Sequence, residues 1–123
     1  MKQLSRWLPA MVVALFIFAS SAQQGAVVSH VQVVDTFAHK FAHLFLYFLL
    51  CFCFYRATKN PLLSFLLTVL YGISDELHQM FVPTRAGTVT DIIVDTTAAL
   101  FGAVMLWKYF QSLPKILKNW LLE

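Results

Sequence analysis

Ser74-Asp75-Glu76-Leu77-His78-Gln79-Met80-Phe81-Val82-Pro83-Thr84-Arg85 follows directly on a run, Leu62 to Tyr71, that is almost wholly apolar. Two carboxylates, an imidazole and an amide then fall between positions 75 and 79. An ionisable group inside a membrane-spanning helix costs roughly 2.5–3.5 kcal/mol on insertion scales, so it faces a partner or a water-filled cavity rather than lipid. Reading this stretch as the polar end of a spanning helix decides the fold. The functional question becomes what Asp75, Glu76 and His78 face.

The rest of the chain agrees with a membrane setting. Of 123 residues, 59% are hydrophobic and 12% charged, against about 25% charged in soluble domains. One domain, residues 1–123, is expected at this length. The net charge is +3, but the basic residues sit near segment ends and form no run interleaved with aromatics. That pattern excludes a nucleic-acid partner. The twelve phenylalanines read as lipid-facing or packing residues. Cys51 and Cys53 stand two apart in an apolar helix, point to different faces, and read as small hydrophobes rather than a disulfide or metal pair.

A spanning helix needs about 20 mostly apolar residues. Four segments qualify, at about 7–22, 37–55, 62–82 and 91–110, so the predicted fold class is an all-α, integral membrane four-helix bundle. The first segment has a second reading. Lys2 and Arg6, a short apolar run and Ala19-Ser20-Ser21-Ala22 also describe a signal peptide, and the residues leave both open. Asn60-Pro61 marks the break before the third helix, Pro83 ends it, and Gly87 allows the following turn. Asp35 reads as solvated loop.

Lysine and arginine placement sets the orientation. Lys2, Arg6, Arg56, Lys59, Lys108, Lys115 and Lys118 fall on one side of a four-span chain; Lys40 and Arg85 fall on the other. The first side is therefore cytoplasmic, with both termini inside, and this holds whether or not the first segment is cleaved. After Pro114, a stripe of Ile116, Leu117, Trp120 and Leu121 suits a short interfacial helix; a frayed terminus is the alternative.

This topology brings polar residues to one depth, the outer half of the membrane. Helix two contributes Lys40, His43 and Tyr47 on one face, helix three Asp75, Glu76, His78 and Gln79, and helix four Asp91 and Asp95. Ala98 and Gly102 continue the face of helix four with small residues that allow close helix approach. Five carboxylates (Asp35, Asp75, Glu76, Asp91 and Asp95) stand there against two cations, Lys40 and Arg85. An uncompensated negative cluster in low dielectric calls for protons, charged histidines or a bound cation. Mutual pairing that only fixes helix packing is the plainer explanation, but so many polar groups exceed what four-helix packing requires. The candidate ligand-binding residues are Lys40, His43, Tyr47, Asp75, Glu76, His78, Gln79, Arg85, Asp91 and Asp95.

No metal or cofactor is expected. His43, Asp75, Glu76, His78 and Asp91 are zinc-type donors, but no His-Glu-x-x-His pattern is present and Glu76 and His78 lie on different faces. Ser74 and Thr84 flank the cluster without any sign of activation, so no catalytic residue is assigned.

Asp75-Glu76-x-His78-Gln79-x-Phe81-Val82-Pro83-x-Arg85, followed by Asp91, resembles the signature of VanZ-like membrane proteins. Lys40-x-x-His43-x-x-x-Tyr47 matches that family's second helix, and Ser20-Ser21-x-Gln23 resembles the Ser-Ser-Gln after its first. The resemblance covers about residues 15–105. Three positions depart from it: His39 stands for a common acid, Asp95 for an asparagine and Ala98 for a glycine. The resemblance implies a small multi-pass plasma-membrane protein of the cell envelope with its first helix retained. The family's namesake is associated with resistance to the lipoglycopeptide teicoplanin. Expected partners are membrane lipids and a lipid-linked or glycopeptide ligand, with a homo-oligomer admitted. Three functions stay open: a binding protein with an outward-facing pocket, a proton- or cation-coupled transporter, and an intramembrane enzyme using Glu76 or His78 as acid or base.

Overall fold

The computed structural model describes residues 2–22, 30–83 and 88–123. Gln23, Arg85 and the Gly87 turn lie outside the described residues. The elements are α1 (Lys2–Ala22), α2 (Gln32–Thr58), α3 (Pro61–Gln79), α4 (Val89–Lys108), a 3₁₀ turn (Phe110–Ser112) and α5 (Lys115–Leu122).

Local chemistry fixes the helix ends. α2 closes at Lys59, which takes a left-handed φ of 56° and donates its N–H to Tyr55 O at 2.7 Å. Asn60 then caps α3: its Oδ1 accepts from Leu62 N at 2.9 Å and Leu63 N at 3.1 Å. Pro61 is suited to the first helical position, where no N–H is needed. Thr88 caps α4, its Oγ1 accepting from Asp91 N at 3.2 Å.

Three boundaries differ from the sequence reading. α2 begins at Gln32 rather than 37, so Asp35 is no loop residue; it is half-buried in the first turn and lies 3.5 Å from His39. An acid there suits the positive end of the helix. α3 ends at Gln79 rather than 82. Phe81 N and Val82 N reach back only three residues, to His78 O at 3.0 Å and Gln79 O at 3.1 Å, and Pro83 disfavours helical backbone at Val82. α4 begins at Val89 rather than 91, because the cap is Thr88.

Side-chain pairings give the helix directions. His43 meets Asp95 and Cys51 meets Ala99, so α2 and α4 run the same way. Ser21 meets Asp75 and Tyr71 meets Ala14, so α1 and α3 run the same way. Tyr47 meets Asp75 and Cys51 meets Ser64, which sets α3 antiparallel to α2. α2 is central, packing against α1, α3 and α4. That position buries both of its cysteines, Cys51 at 0% exposure and Cys53 at 2%, as free thiols. Gly102 makes the α2–α4 approach close: a Cβ there would lie 3.2 Å from Cys51 Cβ.

Large apolar side chains cover the outside: Leu8 and Leu15 on α1, Phe41 and Phe45 on α2, Leu66 and Leu70 on α3, Ile93 and Phe101 on α4. Such a surface is an interaction or lipid surface. Among the described residues three helices are long and apolar enough to cross a membrane, Gln3–Ala22, Gln32–Thr58 and Val89–Lys108. The expected third span, 62–82, is not among them. α3 has 19 residues, but Asp75, Glu76, His78 and Gln79 crowd its last two turns.

At the other end of the helices α5 folds back onto the chain. Leu121 is fully buried, in one apolar cluster with Cys51, Phe52, Leu106 and Leu113. Three cations meet its last carbonyls: Arg6 Nε donates to Glu123 O at 2.9 Å, Arg56 Nη1 to Trp120 O, and Lys59 Nζ to Leu121 O. Burial, and then the neighbouring Arg6 and Arg56 charges, hold the Lys59 ammonium below its ordinary range.

Candidate functional site

Asp75 and Glu76 are neighbours in sequence and point about 100° apart around α3. Both are nonetheless buried, at 3% and 2% exposure. They achieve this by facing different helices.

Asp75 faces α1 and α2. Its Oδ2 accepts from Ser21 Oγ at 2.8 Å, Tyr47 OH at 3.2 Å and Gln79 Nε2 at 3.1 Å. Gln79 Nε2 also donates to Ser21 Oγ at 3.1 Å, which closes the network. Three donors from three helices thus converge on one oxygen. Oδ1 of the same residue has no partner among the described residues.

Glu76 faces α4. Its Oε2 accepts from Thr88 N at 3.1 Å, and Oε1 has no partner among the described residues. Asp95, 2% exposed, lies with Oδ1 3.3 Å from His43 Nδ1, and its Oδ2 is likewise unpartnered. One donor atom each from His43, Glu76 and Asp95 falls within a span of 4.8 Å. Gly72 lets the helices close to this distance. A Cβ at Gly72 would lie 3.2 Å from Tyr47 Cε1 and 3.4 Å from Asp95 Cβ.

The remaining expected residues divide. His78 is half-buried and stacks on Phe18 of α1, ring centroids 4.5 Å apart; its Nδ1 has no partner among the described residues. Asp91 is half-buried and accepts from Thr88 Oγ1 at 2.6 Å, so it acts with the α4 cap. Lys40 is exposed on α2. It shares a nominal helical line with His43 and Tyr47, but α2 turns its centre, not its first turns, toward the other helices. Arg85 lies outside the described residues.

Two residues were missed as site members. Ser21 adds α1 as a fourth wall; the Ser-Ser-x-Gln resemblance was its only signal. Thr88 joins through its backbone N–H, and its signal was the capping preference of a threonine three residues before an acid.

The electrostatics of the cluster are one-sided. Asp75, Glu76 and Asp95 are each at most 3% exposed. Among the described residues their one ion pair within 4.0 Å is Asp95 with His43. His43, with its side chain 24% exposed, is the contact between this buried group and the surroundings. The arrangement accepts hydrogen bonds, protons or a cation. Of the two hydroxyls flanking the cluster in sequence, Ser74 is exposed and donates to Tyr71 O at 2.7 Å, and Thr84 lies outside the described residues.

No curated protein and no solved structure matches the chain. A family model described as VanZ/LLP1 matches residues 6–111, from the first turns of α1 into the 3₁₀ turn. That range takes in every helix that contributes to the cluster. The chain therefore belongs to the VanZ/LLP1 family.

Proposed function

We propose that this VanZ-like membrane protein is a four-helix membrane bundle that binds the polar head of an envelope amphiphile from the outer face of the plasma membrane. The observation that carries the reading is the set of buried carboxylates, Asp75, Glu76 and Asp95, each with one oxygen unpartnered among the described residues. Such oxygens accept hydrogen bonds from hydroxyl- or amine-bearing groups, which a glycosidic head supplies. Exposed Phe37, Phe41, Leu77 and Phe81 on the same end of α2 and α3 suit the apolar part of such a ligand.

Two structural features support this architecture. α3 runs antiparallel to α2, and its 19 residues fall within the roughly 17–25 of a spanning helix despite its polar end. The basic residues Arg6, Arg56 and Lys59 gather at the end opposite the cluster, which favours that end as cytoplasmic. A one-sided site is favoured over a through-path. Below the cluster, Cys51, Ser64 and Thr68 are fully buried, and Thr68 Oγ1 is spent on Ser64 O at 2.7 Å.

The namesake's association with teicoplanin gives the test. Expression in a teicoplanin-susceptible host is expected to raise tolerance, and Glu76→Ala and Arg85→Ala are expected to abolish the gain at unchanged membrane abundance. Tolerance that survives both replacements overturns the reading.

A further inference from the structure

Asp75 accepts three hydrogen bonds, whereas Glu76 accepts one, from Thr88 N, and Asp95 pairs with His43. Glu76 and Asp95 are each 2% exposed, and Glu76 Oε1 and Asp95 Oδ2 have no hydrogen-bond partner among the described residues. No lysine or arginine lies within ion-pair distance of either among the described residues; His43 is the neighbour they share. Two buried carboxylates at this separation are stable as anions only with a nearby positive charge.

The geometry says what kind. His43 Nδ1 and Asp95 Oδ1 are 3.3 Å apart. A charge-assisted hydrogen bond would be about 2.7–2.9 Å. Two ligand atoms, each about 2.1 Å from one tetrahedral ion, are about 3.4 Å apart. Donor atoms of His43, Glu76 and Asp95 all lie within 4.8 Å of one another, so small side-chain adjustments would bring the third ligand in. Three different helices supply them, and each helix is held by its own packing: Gly72 admits Asp95 and Tyr47, and the Tyr47 ring lies nearly parallel to that of His43, at 13°.

The ligand types choose the metal class. One imidazole and two carboxylates suit zinc, cobalt or manganese. Calcium takes six to eight oxygen ligands, which this set does not offer. Asp75 stays outside the group of donor atoms that lie within 4.8 Å of one another. We propose that His43, Glu76 and Asp95 bind one divalent transition-metal ion of the zinc class.

The full chain, purified in detergent with a histidine-free tag and stripped with chelator, is titrated with zinc or cobalt alone. Bound metal is measured by equilibrium dialysis and elemental analysis, and cobalt coordination by visible absorption. One equivalent per chain is expected, with a four-coordinate cobalt spectrum. His43→Gln, Glu76→Gln and Asp95→Asn should each weaken binding by more than about 30-fold, with helix content unchanged. His39→Gln, outside the cluster, should bind as the wild type does. Wild-type protein that is helical but takes up no stoichiometric metal overturns the proposal. So does wild-type affinity in all three cluster variants. No amphiphile enters the measurement, so its failure is distinguishable from failure of the head-group reading, which the tolerance assay tests and which draws on the same Glu76 and Asp95 oxygens.

Discussion

Gly72 shows how one residue holds the polar cluster together. It lies one turn before Asp75 and Glu76, where α3 touches both α2 and α4. A methyl there would stand 3.2 Å from Tyr47 Cε1 and 3.4 Å from Asp95 Cβ. Tyr47 is fully buried and tied by its OH to Asp75, so it has nowhere to yield. Gly72→Ala should therefore destabilise the fold by about 1–3 kcal/mol through overpacking, read as a lower thermal midpoint in detergent. A midpoint at or above wild type would mean that the α2–α3–α4 contact is looser than described. Asp75 and Glu76 make the complementary point. Adjacent in sequence, they are buried by different helices, and either would be stranded if α3 rotated.

At the scale of the element, α5 completes the end of the molecule away from the cluster. The last carbonyls of any helix lack partners within it. Here Arg6, Arg56 and Lys59 supply them from α1 and from the end of α2. The Arg56 guanidinium also lies over the Trp120 ring at 4.7 Å. Cations at a helix C-terminus are favourable, and Leu121 buries fully beneath them. Deleting residues 115–123 should remove about 2 kcal/mol from Leu121 burial alone and leave Arg56 without its acceptor. The truncated chain should melt lower than wild type, and Arg56→Met within it should recover part of the loss. No change on truncation would show that α5 adds nothing to stability. α1 is similarly committed: Ser21 donates to Asp75 and Ala14 O accepts from Tyr71, contacts that removal of a cleaved leader would abolish.

For the whole molecule, the alternating helix directions put the two chain ends together, as the Arg6–Glu123 hydrogen bond records. The polar cluster is at the opposite end. Cysteines introduced at Gln3 and at Glu123, in a chain lacking Cys51 and Cys53, should both react with an impermeant maleimide only after the cytoplasmic side is opened. A cysteine at Thr88 should react from outside. Labelling of Gln3 and Thr88 from the same side would overturn the proposed four-span topology.

The sequence by itself determined the all-helical class, the turn chemistry at Asn60-Pro61, the membrane character and nearly all of the polar cluster. Hydropathy and helical spacing are local quantities, and His43, Tyr47, Asp75, Glu76 and Asp95 were legible from them. The family resemblance was carried by short stretches, Ser20–Gln23, Lys40–Tyr47 and Asp75–Asp91, and the family model matches residues 6–111, a range that contains them. Only the tertiary structure decided which side chains share partners. Ser21 is 54 positions from Asp75, and the His43–Asp95 pair spans 52. No periodicity within one helix reports how another is rotated against it, and that rotation leaves Lys40 exposed while it buries Tyr47. The same packing divided the cluster in two. Asp75 Oδ2 collects hydroxyl and amide donors from α1, α2 and α3, while Glu76 and Asp95 lie with His43 between α2, α3 and α4, because the rotation of each helix sets which neighbours its side chains meet.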